Sequence, residues 1–170
     1  KRTGELLPLA EHHHTNWRWV WALQPGAAPP SHQINIWSRG GGKTVGAELS
    51  TIAVGATGRR RFGLYVCATQ ARANERITNI GAKLATPAFA VAYPAMARRA
   101  LTQWGNQKGW RQDRIITDSG FIVSALGLDA AVRGINFEDF RPDFVVLDVV
   151  ASPATGQQNL GVRVIDLLEN

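Results

Sequence analysis

The sequence predicts an α/β domain with a mostly parallel central sheet flanked by helices. Three observations predict it. Apolar runs at 34–37, 62–68 and 144–147 have the length and composition of buried strands. Stretches with apolar residues at helical spacing separate these runs, and that alternation builds a parallel sheet. The chain has 170 residues, 45% of them apolar, enough for one domain with a core of its own.

Residues 1–31 read as an N-terminal arm with a short helix, and 32–170 as the core. Residues 1–16 form the approach. Asn16 is placed to cap a helix whose Trp17, Val20 and Trp21 share one apolar face. Gln24, Pro25, Gly26, Pro29 and Pro30 then impose a loop. A strand at 34–37 leads through a loop at 38–42 to a helix beginning near Lys43. That helix carries Val45, Leu49, Ile52 and Ala53 on one side and runs to about Gly55. Gly58 and Arg59, Arg60 and Arg61 make a basic turn before the 62–68 strand. A helix over 71–84 follows, with Ile77, Ile80 and Leu84 on one face. Pro87 and Pro94 interrupt the next stretch, which retains a short helix near 95–104. Arg114 to Thr117, a turn at Asp118, Ser119 and Gly120, and Phe121 to Ala125 read as a hairpin. The strand at 144–147 ends at Asp148.

Composition narrows the partners. No apolar run reaches the roughly 18 residues of a membrane span, and the N-terminus lacks a signal-peptide pattern. A single cysteine, Cys67, excludes an internal disulfide and a cysteine zinc cluster. In a buried strand, Cys67 reads as a small packing residue. Net charge is +6 and unevenly spread: residues 59–114 carry eleven Lys/Arg against two acids, and residues 115–170 carry three Arg against eight acids. A basic middle segment points to a polyanionic partner, with a solvated surface as the alternative. Arg59 to Arg61 and the pair Arg98 and Arg99 are its candidate phosphate contacts, which would give sequence-independent affinity.

Chemistry concentrates in Trp37, Ser38, Arg39, Gly40, Gly41, Gly42, Lys43 and Thr44. Consecutive glycines let the backbone turn tightly and aim N–H groups inward, and a helix N-terminus adds positive potential. Lys43 suits the β- and γ-phosphates of ATP, and the Thr44 hydroxyl suits Mg2+. The match to G-x-x-x-x-G-K-[ST] is incomplete, because Trp37 stands at the first glycine. Arg39 is a guanidinium within reach of the γ-phosphate. Asp148 emerges at the C-terminal end of an apolar strand, where open α/β sheets bind ligands, and is the candidate carboxylate beside Mg2+. A P-loop ATPase also needs an acid to position water. Val149, Val150, Ala151 and Ser152 follow instead, and no acid recurs before Asp166.

Taken together these residues resemble the ATPase domain of the large terminase subunit of tailed bacteriophages. Arg39 before x-x-Gly-Lys-Thr matches that family's modified Walker A. Tyr65 to Ala71 resembles its strand and Thr-Gln turn. Gly109-Trp110-Arg111, Asp118 to Phe121 and Ala125 to Asp129 resemble its mid-domain hairpin. Arg133-Gly134 and Arg141-Pro142-Asp143 resemble the approach to its Walker B strand. The resemblance covers roughly Leu6 to Asp148 and implies a P-loop NTPase fold binding ATP and Mg2+. It implies a motor that drives double-stranded DNA into a capsid in the host cytoplasm, within a homo-oligomeric ring that meets a portal protein and a small terminase subunit. An arginine from a neighbouring subunit, Arg133 first and Arg141 second, would complete each site. The family's second aspartate and catalytic acid do not follow Asp148, and its nuclease domain is absent, so DNA cleavage is not expected. Another P-loop ATPase, helicase-like or repair, and a nucleotide-binding module without turnover remain as alternatives.

Several residues carry plainer readings. His12, His13 and His14 are adjacent and do not converge on one ion, so an exposed arm is expected. Gln33 precedes the first strand and suits either an adenine edge or a plain loop. Trp17 and Trp21 suit the core better than a base-stacking platform.

Overall fold

The computed structural model describes residues 8–28, 31–38, 40–106, 108, 110–129 and 140–148. Within them a four-stranded sheet runs in the order β2-β3-β1-β4, with β1 Phe62–Cys67, β2 Arg114–Ile116, β3 Ile122–Gly127 and β4 Phe144–Asp148. β1 pairs in parallel with β3 and with β4, and β2 pairs antiparallel with β3. The fold is therefore α/β with a mixed, mostly parallel sheet flanked by helices. All six β1 residues are buried, as expected of a central strand between two neighbours. Asp143 sets the start of β1 beside β4: its carboxylate accepts the Phe62 N–H at 2.8 Å and the Arg61 N–H at 2.9 Å.

Helices α1 Glu11–Ala22, α2 Lys43–Ala56 and α3 Gln70–Leu84 supply the main packing layer. In α3, Ala73, Ile77, Ile80 and Leu84 recur at helical spacing. They close a core with Tyr65, Cys67, Ile115, Phe121 and Val123. Thr69 caps α3 by accepting from the Arg72 N–H. A second cluster joins Val20 and Leu23, at the end of α1, to Val54 of α2 and Phe144 of β4. No described helix is long and apolar enough to cross a membrane.

Five sequence expectations are corrected. The 34–37 segment forms no strand. It is extended, with Ile34 and Ile36 exposed, while Asn35 turns inward and donates to Asn16 Oδ1 at 2.9 Å. Side-chain links to α1 hold it where ladder hydrogen bonds were expected.

Asn16 is no cap. The helix begins at Glu11, and Asn16 is buried within it, donating to Ser50 Oγ at 3.0 Å. The buried face of α2 is also rotated from the expected one. Val45 and Leu49 are exposed, while Glu48, Ser50 and Thr51 lie inside with Ile52 and Val54.

Residues 95–104 do not form one helix. Pro87 and Pro94 open two short helices, α4 Pro87–Ala92 and α5 Pro94–Ala97, a position that needs no N–H donor. Finally, Trp21 is exposed, whereas Trp17 packs half-buried against the cluster of Val20, Leu23, Val54 and Phe144 as expected; the two rings stack on each other at 5.8 Å.

Candidate functional site

Chain direction brings the glycine loop and Asp148 to one end of the sheet. The connection from α2 into β1 is short, so α2 runs back along the sheet and its N-terminus lies at the C-terminal end of the parallel strands. Cys67 and Asp148 are register partners at that same end.

The loop turns through left-handed glycines. Gly40 has φ 81° and Gly42, the residue before α2, has φ 78°. A side chain at either position would be strained. The intervening Gly41 N–H donates to Ser38 O at 3.1 Å, and a Cβ on Gly41 would press against that same oxygen. The first helical bond runs from the Gly46 N–H to Gly42 O at 2.7 Å. Amides of the first turn therefore have no acceptor within the helix, and they share the positive end of its dipole. The Lys43 ammonium folds back over the loop and donates to Trp37 O and, at 3.1 Å, to Ser38 O. Thr44, half-buried, sits in the same turn.

Trp37, at the place of the motif's first glycine, has a packing role that the sequence did not reveal. Its ring packs over Gly46, 3.4 Å from where a Cβ there would stand, and meets the His12 ring at 4.6 Å and the His13 ring at 5.1 Å. His12 and His13 are thus half-buried parts of α1 against the loop, which corrects the exposed arm expected there. The His12 Nε2 is buried without a partner among the described residues.

Asp148 sits in a polar cluster. Its Oδ2 accepts the Tyr65 hydroxyl at 3.3 Å and lies 3.8 Å from Arg76 Nε. Arg76 also reaches Glu48 of α2 at 3.6 Å, and Lys83 and Asn79 bond the Glu48 carboxylate from α3. Glu48 is 2% exposed, so these partners compensate a buried charge that would otherwise be costly. Burial pushes the Tyr65 phenol well above its ordinary range, and the negative charge of Asp148 adds to it. The same two causes, burial first, push the Cys67 thiol up to about 11. Glu48, Arg76 and Tyr65 were missed in the sequence. The signal for Glu48 was its place one turn before Thr51 and Ile52, an acid within a buried stripe.

Arg39 and Arg133 lie outside the described residues. Gln33 is half-buried and donates to Asn35 Oδ1 at 2.9 Å. Arg141 is exposed, and its neighbour Asp143 is engaged with the β1 amides. The basic run is largely internal. Arg59 donates to Leu23 O, and Arg60, 5% exposed, donates to Gln24 O at 2.6 Å and Ala27 O at 3.0 Å. Arg61 is exposed and lies over the Phe140 ring. Arg98 pairs with Asp118 at 2.9 Å, and Arg99 lies over Trp110.

Among the described residues, no three of His, Cys, Asp and Glu are grouped to hold a metal ion. Thr44 and Asp148 each offer an oxygen donor, the type that suits a hard ion such as Mg2+, and Asp148 is engaged with Tyr65 and Arg76. No family model, curated protein or solved structure matches the chain.

Proposed function

We propose that the chain is a P-loop ATPase domain that binds the phosphates of ATP at Ser38 to Thr44, as in the motor of a phage terminase large subunit. The observation that carries the reading is the glycine loop itself. Gly40 and Gly42 have positive φ, a helix starts at Lys43, and Asp148 lies at the same end of the sheet.

In this reading the Lys43 ammonium exchanges the Trp37 and Ser38 carbonyls for β- and γ-phosphate oxygens. A charge-assisted bond to phosphate is stronger than one to a neutral carbonyl, so nucleotide draws Lys43 off the loop. First-turn amides of α2 receive the remaining phosphate charge. Thr44 and Asp148 would hold Mg2+, which supplies charge neutralisation between the phosphates when bound. Arg39 is assigned to the γ-phosphate and Gln33 to the adenine edge. Arg133, or else Arg141, is assigned to a neighbouring subunit's site. The partners proposed with this reading are double-stranded DNA, a portal protein, a small terminase subunit and further copies of the chain in a ring.

One observation favours a second reading, a nucleotide-binding module without turnover: residues 149–165 contain no acid to position water. Steady-state turnover measured beside ATP affinity separates the two. Turnover abolished by Lys43→Ala rejects the module, and tight binding without turnover supports it. Unwinding of a forked duplex, without translocation along an intact one, would favour a helicase-like enzyme. In either nucleotide reading Lys43→Ala weakens ATP binding by about 100-fold, the worth of one or two charge-assisted bonds. Unchanged affinity in that variant removes the cradle as the binding site.

A further inference from the structure

Among the described residues, α1 makes a polar contact with the phosphate loop through His13. His13 Nε2 lies 3.1 Å from Gly41 O, and its Nδ1 lies 3.2 Å from the Ala10 N–H. The two contacts fix the tautomer. A carbonyl oxygen only accepts and an N–H only donates, so Nε2 carries the proton and Nδ1 the lone pair. Ala10 directly precedes α1, and its N–H would otherwise lack a helical partner. That bond orients the ring towards the loop.

The contact is also stiff. α1 is anchored to α2 by the buried bond from Asn16 to Ser50, and to the extended segment by the bond from Asn35. The His12 and His13 rings, 4.0 Å apart and tilted to each other, also pack on Trp37, His12 tilted and His13 edge-on. A Cβ on Gly42 would stand 3.6 Å from His13 Nε2, so the imidazole lies directly against the residue that starts the helix.

We propose that His13 is a positioning residue of the phosphate cradle, acting through the Gly41–Gly42 peptide. In a trans peptide the C=O and the following N–H point in opposite directions. By holding Gly41 O towards α1, His13 turns the Gly42 N–H away from α1 and fixes it as a donor. A hydrogen bond accepted at the carbonyl also polarises the N–H on the other side of the same peptide. The N-terminal helix is thereby part of the nucleotide site. Gly41 and Gly42 have no side chains to hold their own peptide, so an external clamp removes a conformational cost that ATP would otherwise meet on binding.

This inference rests on the cradle reading, and the experiment separates the two. MgATP affinity is measured by titration calorimetry for the wild-type chain, Lys43→Ala, His13→Ala, His13→Asn and His13→Gln, with thermal unfolding in the absence of nucleotide. Gln places an N–H near the position of Nε2, and Asn places one near Nδ1. Expected are an affinity about tenfold weaker for His13→Ala and His13→Asn, and one within about threefold of wild type for His13→Gln. Equal losses in the Ala and Gln variants would reduce His13 to a packing residue and overturn the inference. So would wild-type affinity in His13→Ala while Lys43→Ala has lost binding, which leaves the cradle standing. Wild-type affinity in Lys43→Ala overturns the cradle, and this inference with it.

Discussion

Arg60 shows how a side chain's role follows from its partners rather than its charge. Three arginines in a row read as a phosphate-binding turn, yet Arg60 is buried and spends its guanidinium on the carbonyls of Gln24, Arg59 and Ala27. Those carbonyls come partly from a Pro- and Gly-rich loop with few ladder bonds, so the arginine supplies what the backbone cannot. Arg60→Ala should destabilise the fold by about 2–3 kcal/mol, the cost of losing charged hydrogen bonds and stranding their acceptors. Urea denaturation measures it. A loss below about 0.5 kcal/mol would mean that solvent replaces those bonds. Cys67 makes a pH prediction. Its thiol is raised from 9.0 to about 11, so the folded state holds the proton more tightly than the unfolded chain does. Stability from this group is complete below about pH 9 and is lost as pH rises through about 11. Tyr65 shifts in the same direction. Denaturation series at pH 8 and pH 10.5 should show a drop that Cys67→Ala reduces. An identical drop in that variant would assign it elsewhere. Neither role was legible in the sequence, because each depends on a neighbour far away along the chain.

Elements dominated by their own pattern were legible. β1 is a continuous apolar run, α3 repeats its apolar residues every three or four positions, and Asp118, Ser119 and Gly120 make the turn between β2 and β3. The Thr-Gln turn after β1 also has a local cause. Thr69 caps α3, while Gln70 ties the helix to the end of β3 by accepting the Gly127 N–H at 2.8 Å and donating its own N–H to Asp129 at 2.8 Å. Elements decided by contacts across the fold were misread. The 34–37 segment has strand composition, but its inward Asn35 bonds to α1 and its Trp37 packs on the α1 histidines. α2 buries Glu48 because α3 brings Lys83 and Asn79 to meet it. Close packing within α2 yields a further prediction. A Cβ on Gly55 would lie 2.6–2.7 Å from the stem of the Phe121 ring, which cannot swing away there. Gly55→Ala gains about 1 kcal/mol of helix propensity but meets an overpacking cost of up to about 3 kcal/mol. A net loss of about 1–2 kcal/mol is expected in denaturant unfolding, and a gain in stability would show that α2 can shift off Phe121.

At the scale of the whole molecule, the charge asymmetry of the sequence survives in reduced form. Arg59 and Arg60 are spent inside and Arg98 on Asp118, while Arg61, Arg72 and Arg111 remain exposed. If those three neutralise DNA phosphates, affinity for duplex DNA should fall about 40-fold between about 50 and 200 mM salt. A flat salt response would remove the basic segment as a DNA surface. The end of the sheet gathers the rest of the account: a turn with two left-handed glycines, the start of α2, α1 clasping the loop through His13, and Asp148 within its cluster. The glycines, Lys43 and Asp148 were legible as a motif because spacing carries them. His13, Trp37, Tyr65, Glu48 and Arg76 were not, because only the packing of α1 and α3 on α2 and the sheet brings them there. A crystal structure with MgATP or a slowly hydrolysed analogue tests the central claim most directly. The account predicts the β-phosphate seated on the amides between Gly41 and Thr44, with Lys43 turned from the Trp37 and Ser38 carbonyls onto phosphate oxygens. A triphosphate bound elsewhere, with Lys43 still on those carbonyls, would contradict it.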